Sequence, residues 1–150
     1  MKKLFLEDPA QLVHGERHVG IVIRHHQVLL IHRLNHGREY YVFPGGHRRI
    51  SESGEDAVIR EVYEETAVRV IDPRLIFKYP DPDYHITHFH YLCRWKSGTK
   101  LKMLGEEKDQ DPVNDIYQPL WMDTNQVSLL NLLPESSKLW FLKNFHTSKV

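Results

Sequence analysis

Residues 44–68, Pro-Gly-Gly-His-Arg-Arg-Ile-Ser-Glu-Ser-Gly-Glu-Asp-Ala-Val-Ile-Arg-Glu-Val-Tyr-Glu-Glu-Thr-Ala-Val, constrain this chain more than any other stretch. A Pro-Gly-Gly turn precedes a run with helical periodicity. Gly45 and Gly46 permit backbone angles that a side chain forbids, and Pro44 stiffens the approach. Ser53 is placed to cap a helix, with Asp56 three residues on as an imperfect capping box. Val58, Ile59 and Val62 then share one arc of the helical wheel, a stripe to be buried. Glu61, Glu64 and Glu65 share a neighbouring arc, since each residue advances a helix by about 100°.

Carboxylates gathered in this way repel one another, by a few tenths of a kcal/mol for each i,i+4 pair on an isolated helix. A divalent cation removes that penalty, and clustered hard oxygens suit Mg²⁺ or Mn²⁺. Arg60, four residues before Glu64 and next to Glu61, is placed to hold a carboxylate. The competing reading of the acidic run alone is a solvated helix face with an Arg pair. The glycine turn upstream favours the metal reading.

Residues 46–68 resemble the Nudix box, G-x5-E-x7-R-E-U-x-E-E-x-G-U with U aliphatic. Gly46, Glu52, Arg60, Glu61, Val62, Glu64, Glu65 and Val68 stand where that pattern puts them. Ala67 replaces the last glycine, and Ser51 stands where many members have glycine. The resemblance implies a hydrolase that cleaves a pyrophosphate linkage in nucleoside diphosphates joined to another group, with Mg²⁺ or Mn²⁺. By position it implies Glu61, Glu64, Glu65 and the Gly45 carbonyl as metal ligands. Glu61 is also the candidate base, Arg60 orients it, and Glu52 anchors the helix start, with Gly46 structural in the motif. Several members take a base or ligand from a loop beyond the box. Here that loop is the acidic stretch 105–115, with Glu106 and Glu107, and Glu107 is the catalytic candidate. A solvated charged loop is the competing reading. The family's association of a proline with ADP-ribose and a tyrosine with dinucleoside polyphosphates does not choose, because Pro82 and Tyr84 lie near both positions. A damaged nucleoside triphosphate fits equally. The alternative to an enzyme is a silent nucleotide-binding or sensor module, against which the intact carboxylate set argues.

In chain order, residues 18–24 and 28–33 read as strands of a hairpin turning at 25–27. Residues 33–39 read as a polar loop carrying Arg33 and Arg38, and 40–43 as a short aromatic strand. Residues 47–50 read as an extended link. Beyond the helix, 68–71, 74–79 and 84–95 are expected strands, with a turn at 80–83. A last strand is expected over 116–122, where Pro119 predicts an edge or bulge. Asp123 and Thr124 are expected to cap a short helix, and Pro134 to open a final one with Leu139, Trp140 and Leu142 facing the core. This is an α/β (α+β) pattern, a mixed sheet covered by helices. The resemblance sharpens it to an α/β/α sandwich, with 1–150 as one domain. The family's last box glycine suits a left-handed helix end. With Ala67 in its place the helix is expected to run slightly on, sparing the Cβ a cost of about 1 kcal/mol.

Composition narrows the remaining classes. Twenty Lys and Arg balance twenty Asp and Glu, which argues against a nucleic-acid coat or a membrane-surface role. The partner expected is a small nucleotide, not polymeric nucleic acid or membrane, with monomer and homodimer both open. No window approaches the ~18 apolar residues of a membrane span, and the first residues are too short for a signal peptide. The lone Cys93 fits a reducing compartment, hence a cytoplasmic protein. His85, His88 and His90 raise a structural zinc site, but no cysteine pair or H-x3-H helix accompanies them, so satisfied or exposed histidines are the expectation. Of the basic residues near the glycine turn, Arg33 and Arg38 are the candidate phosphate contacts, ahead of Arg48 and Arg49. Arg49 stands where many members are acidic. Tyr40, Tyr41, Phe43, Phe77, Tyr79 and Tyr84 are expected mostly in the core, with one or two left to stack on a base.

Overall fold

The computed structural model describes residues 9–97, 101–102 and 115–145. The first two strands, β1 (Glu16–Arg24) and β2 (Gln27–Asn35), pair antiparallel around His25, whose φ of 58° makes the tight turn. The segment expected as a polar loop is instead a second tight hairpin. β2 runs on to Asn35, His36 and Gly37 turn with φ of 52° and 81°, and β3 (Arg38–Val42) returns. Two successive positive-φ residues give the turn whose twist matches that of the flanking strands.

A two-residue strand, β4 (Gly45–Gly46), lies against His18 and Val19 of β1. Helix α1 (Gly54–Thr66) follows, with the Ser53 hydroxyl accepting from the Asp56 amide at 3.0 Å. β5 (Arg69–Asp81) joins the two strands expected at 68–79 into one, irregular where Asp72 takes a φ of 52°. After the turn at 82–85 come β6 (Ile86–Ser97) and then β7 (Asp115–Asp123). The sheet order is β3-β2-β1-β6-β5, with β4 on β1 and β7 on β2. The β1–β6 pair is parallel and the others antiparallel, so the sheet is mixed. Among the described residues β7 pairs with β2 alone, and Pro119 is tolerated on that outer strand.

Strand alternation sorts the core into two faces. Val19 and Ile21 of β1 join Val28, Leu30, Phe43, Val127, Leu132 and Phe141, beneath the 3-10 turn Thr124–Leu129 and helix α2 (Glu135–Asn144). Val22 joins Leu29, Tyr91 and Cys93 beneath Val58 and Val62 of α1. Helices on both faces give the three layers expected.

Local expectations fail at three further places. Ala67 does end the helix left-handed, at φ 65°, its amide donating to the Tyr63 carbonyl. The Thr66 hydroxyl reinforces this end, donating to the Val62 carbonyl and accepting from the Val68 amide, and β5 begins at once. Asp123 makes no side-chain cap, its carboxylate accepting instead from Gln27, and the element it precedes is a 3-10 turn. In α2 the inward line is Ser137 and Phe141, one turn apart. Trp140 and Leu142 are partly buried and pack against the core as expected, and Leu139 departs from the expectation, being exposed.

Candidate active site

The β1–β4 pairing presses the glycine turn onto the sheet. A Cβ on Gly45 would lie 2.3 Å from the His18 carbonyl oxygen, and one on Gly46 2.7 Å from Cδ of Glu61. Only glycine lets the turn pass between β1 and the Glu61 carboxylate. The Gly45 amide donates to Glu65 Oε1 at 2.9 Å, and the Tyr117 hydroxyl donates to Glu65 Oε2. Glu61 and Glu65, one helical turn apart, both face the turn and are 1% and 8% exposed. They line a cavity of about 140 Å³ with Gly45, Gly46, His47, Leu12 and Arg17.

Arg60 is the hub of the box. Nε and Nη2 donate to the two Glu52 oxygens at 2.8 and 2.9 Å, and Nη2 also reaches the His47 carbonyl. Nη1 donates to Glu61 at 2.8 Å and, more weakly, to Glu64 at 3.4 Å. Burial works against the Arg60 charge, but Glu52 and Glu61 outweigh it and its pKa rises. Glu52 also accepts the Arg49 amide, so one carboxylate ties the extended link to the helix. Arg48 is spent elsewhere, on Glu16 at 2.7 Å and on loop carbonyls.

The donor set suits a hard divalent cation. Burial raises the Glu65 carboxyl to about 7, with the Glu61 charge adding to it. Two buried carboxylates in mutual repulsion are what a cation relieves. The third expected ligand is Glu64. Glu64 lies against Arg60, and among the described residues no three acidic, His or Cys side chains already stand in a ligating arrangement. Glu106 and Glu107 lie outside the described residues.

Beside this small cavity opens a larger one of about 560 Å³. Arg33 and Arg38 both line it, with Tyr40, Tyr84 and Tyr117. The register explains their grouping: Arg33 of β2 stands between Tyr40 of β3 and Tyr117 of β7. Its guanidinium lies 4.6 Å from the Tyr117 ring and 5.9 Å from that of Tyr40. Phe43 is core, whereas Tyr84 is 73% exposed at the cavity rim.

His88 and His90, with Asp81, form another wall. Burial, then the His88 charge, pushes His90 down to about 4, and its Nε2 is bonded to Ser137 Oγ at 2.7 Å. Burial and Arg17 lower His88 as well, against the pull of Asp81. At neutral pH both rings are uncharged, suited to a neutral ligand edge.

The residue that inspection of the sequence missed is Arg17, which lines both cavities. Its signal was present. Arg17, Val19 and Ile21 alternate onto one face of β1, so a charge interrupts an otherwise apolar line.

Comparison with known proteins places the whole architecture. The family profile of the NUDIX domain matches residues 15–141. The chain belongs to the NUDIX domain family. It is a Nudix hydrolase, an enzyme of the pyrophosphohydrolase class. It is 30% identical to an RNA pyrophosphohydrolase of Orientia tsutsugamushi (strain Boryong), over 85% of this chain and 88% of that one. It is also 30% identical to the uncharacterized Nudix hydrolase YvcI of Bacillus subtilis (strain 168), over 72% and 65% respectively. Among solved structures it resembles the Escherichia coli ORF135 protein, with TM-score 0.61, 16% identity and coverage of 89% and 93%. It also resembles a MutT protein from Bacillus halodurans, with TM-score 0.58, 23% identity and coverage of 88% and 82%. These two likenesses concern the fold. Nudix hydrolases generally use divalent metals and act on small nucleotide-containing substrates. Among the described residues no helix is long and apolar enough to cross a membrane.

Proposed function

We propose that this Nudix hydrolase cleaves the pyrophosphate linkage of a nucleotide whose nucleoside occupies the larger cavity, while Mg²⁺ or Mn²⁺ is held at the smaller one. The observation that supports this reading most is adjacency. A cavity floored by Glu61, Glu65 and a glycine turn borders one walled by tyrosines, arginines and neutral histidines. Glu61, Glu65 and the Gly45 carbonyl would hold the ion, joined by Glu64 on leaving Arg60. When bound, the ion screens the phosphoryl oxygens and lowers the pKa of a coordinated water.

The chain's own residues do the rest. Glu61, oriented by Arg60, takes a proton from the attacking water, with Glu107 as the second candidate for that proton. The water oxygen forms a new bond to phosphorus, and the bridging oxygen leaves with the other phosphate. One water is consumed and two phosphate products depart. Arg33 and Arg38, on the faces of Tyr40 and Tyr117, contact the bound nucleotide. We take the chain as a single functional unit, and the buried Cys93 fits the reducing cytoplasm.

The likeness to an RNA pyrophosphohydrolase supports a second reading, in which the nucleotide is the 5′ end of an RNA. A substrate panel tests both, with Mg²⁺ and Mn²⁺ and products identified by mass. The panel comprises nucleoside triphosphates, a nucleotide sugar, ADP-ribose, dinucleoside polyphosphates and a 5′-triphosphorylated oligoribonucleotide. Metal-dependent release of phosphate or a nucleotide from at least one is expected. Turnover confined to the oligoribonucleotide would favour the second reading, and none on any substrate would defeat both.

A further inference from the structure

Three arginines line the cavities, and they are not equivalent. Arg33 is sandwiched by Tyr40 and Tyr117 and lies 3.6 Å from Asp115. Arg38 lies over Tyr40 at 5.1 Å. Both line only the larger cavity. Arg17 lines both, and among the described residues it makes no side-chain hydrogen bond or ion pair. Its position follows from the register. Arg17 is paired with His88 of β6, and its neighbours on β1, His18 and Val19, carry the Gly46 and Gly45 partners.

The rest of the larger cavity is poorly suited to phosphate near this wall. Asp81 places a carboxylate 3.8 Å from His88, where it repels phosphate and accepts from a ribose hydroxyl or a base amino group. The floor of the smaller cavity is anionic too, with Glu61 and Glu65. A polyanion spanning the two therefore needs a cation at the junction, and a guanidinium can grip phosphate oxygens two at a time.

We infer that Arg17 is the phosphate anchor that sets the direction of the substrate, with the nucleoside toward Asp81 and His88 and the scissile linkage over Gly45 and Gly46. This rests on the nucleotide reading above. Arg17 is then a specificity-determining residue. It distinguishes a phosphorylated nucleoside from a bare one, and it fixes which side of the linkage enters the carboxylate cavity.

Calorimetric binding of non-hydrolysable probes separates this from its alternatives. The probes are the four ribonucleosides and their α,β-methylene diphosphates, with Mg²⁺ present. The wild type is expected to bind at least one diphosphate more tightly than its nucleoside. Arg17→Gln should weaken the diphosphate roughly tenfold to a hundredfold, the loss of a charge-assisted contact, and leave the nucleoside within about threefold. Arg17→Lys, which keeps the charge without the fork, should fall between, and it carries the test if the Gln variant does not fold. If the Gln variant loses nucleoside and diphosphate affinity equally, Arg17 is structural and the inference fails. If it keeps the wild-type preference for the diphosphate, another residue is the anchor and the inference fails while the nucleotide reading stands. If the wild type binds neither class, the nucleotide reading fails and this inference with it.

Discussion

At the scale of single residues, Glu65 holds its carboxylate where burial and Glu61 both disfavour the charge. Glu65 is buried, faces Glu61 and accepts from the Gly45 amide and Tyr117. Glu65→Gln keeps the volume and removes a charge, so turnover should fall by orders of magnitude while the far-ultraviolet dichroism stays that of the wild type. Near-full turnover in that variant would remove Glu65 from the metal set. His90 supplies a pH dependence of a different origin. Its folded pKa is depressed, from the usual 6.5 to about 4, chiefly by burial. The neutral form is the one the fold accepts. Its contribution is therefore complete above pH 6.5 and is lost as the pH falls toward 4, where the ring must charge in place. The depression corresponds to about 3 kcal/mol, with His88 adding in the same direction. Denaturant unfolding between pH 7 and 4 should show this slope, and His90→Gln should flatten it. An unchanged slope in the variant would place the acid lability elsewhere.

At the scale of elements, what was legible in the sequence is what is local. The Ser53 cap, the α1 stripe and the Glu52–Arg60–Glu61 set follow from helical spacing and the box pattern, and the described geometry keeps them together. Ala67 shows where such reasoning broke down. Avoidance of positive φ argued for a longer helix, but the chain must enter β5 at Arg69, and the Thr66 hydroxyl closes the end with bonds of its own. Tertiary demand outweighed a cost of about 1 kcal/mol. That cost is recoverable. Ala67→Gly should raise the melting temperature by about 2 °C, because relief of the strained Cβ exceeds the added freedom of the unfolded chain, with kcat unchanged. A lower melting temperature would mean that the left-handed Ala67 carries no strain. The cavity walls were not legible for the opposite reason. Arg33, Tyr40 and Tyr117 meet only through the β3-β2-β7 register, and Arg17 meets Glu65 only because β4 docks on β1. Pairings between distant strands leave little trace in the spacing of residues along a chain.

At the scale of the whole molecule, the site lies where a helix from one layer and a glycine turn from the sheet converge, so it exists only in the folded chain. Any ligand that binds there must stabilise the fold by mass action, by about 2.7 kcal/mol at a concentration one hundred times its Kd. For a chain of this length that is a rise of roughly 5–10 °C in melting temperature. Two features of this site set the expected size and its controls. Relief of the Glu61–Glu65 repulsion favours the ion, whereas recruitment of Glu64 requires it to leave Arg60, 3.4 Å away. Titration of Mg²⁺ and of Mn²⁺ into metal-stripped protein should therefore raise the melting temperature in a saturable manner. Glu65→Gln should abolish most of the shift, and Glu64→Gln should reduce it less. Arg38 lines the larger cavity and not the smaller one, so Arg38→Gln should shift as the wild type does. No saturable shift in the wild type, or an equal shift in Glu65→Gln, would show that the carboxylates at the glycine turn are not where the metal binds.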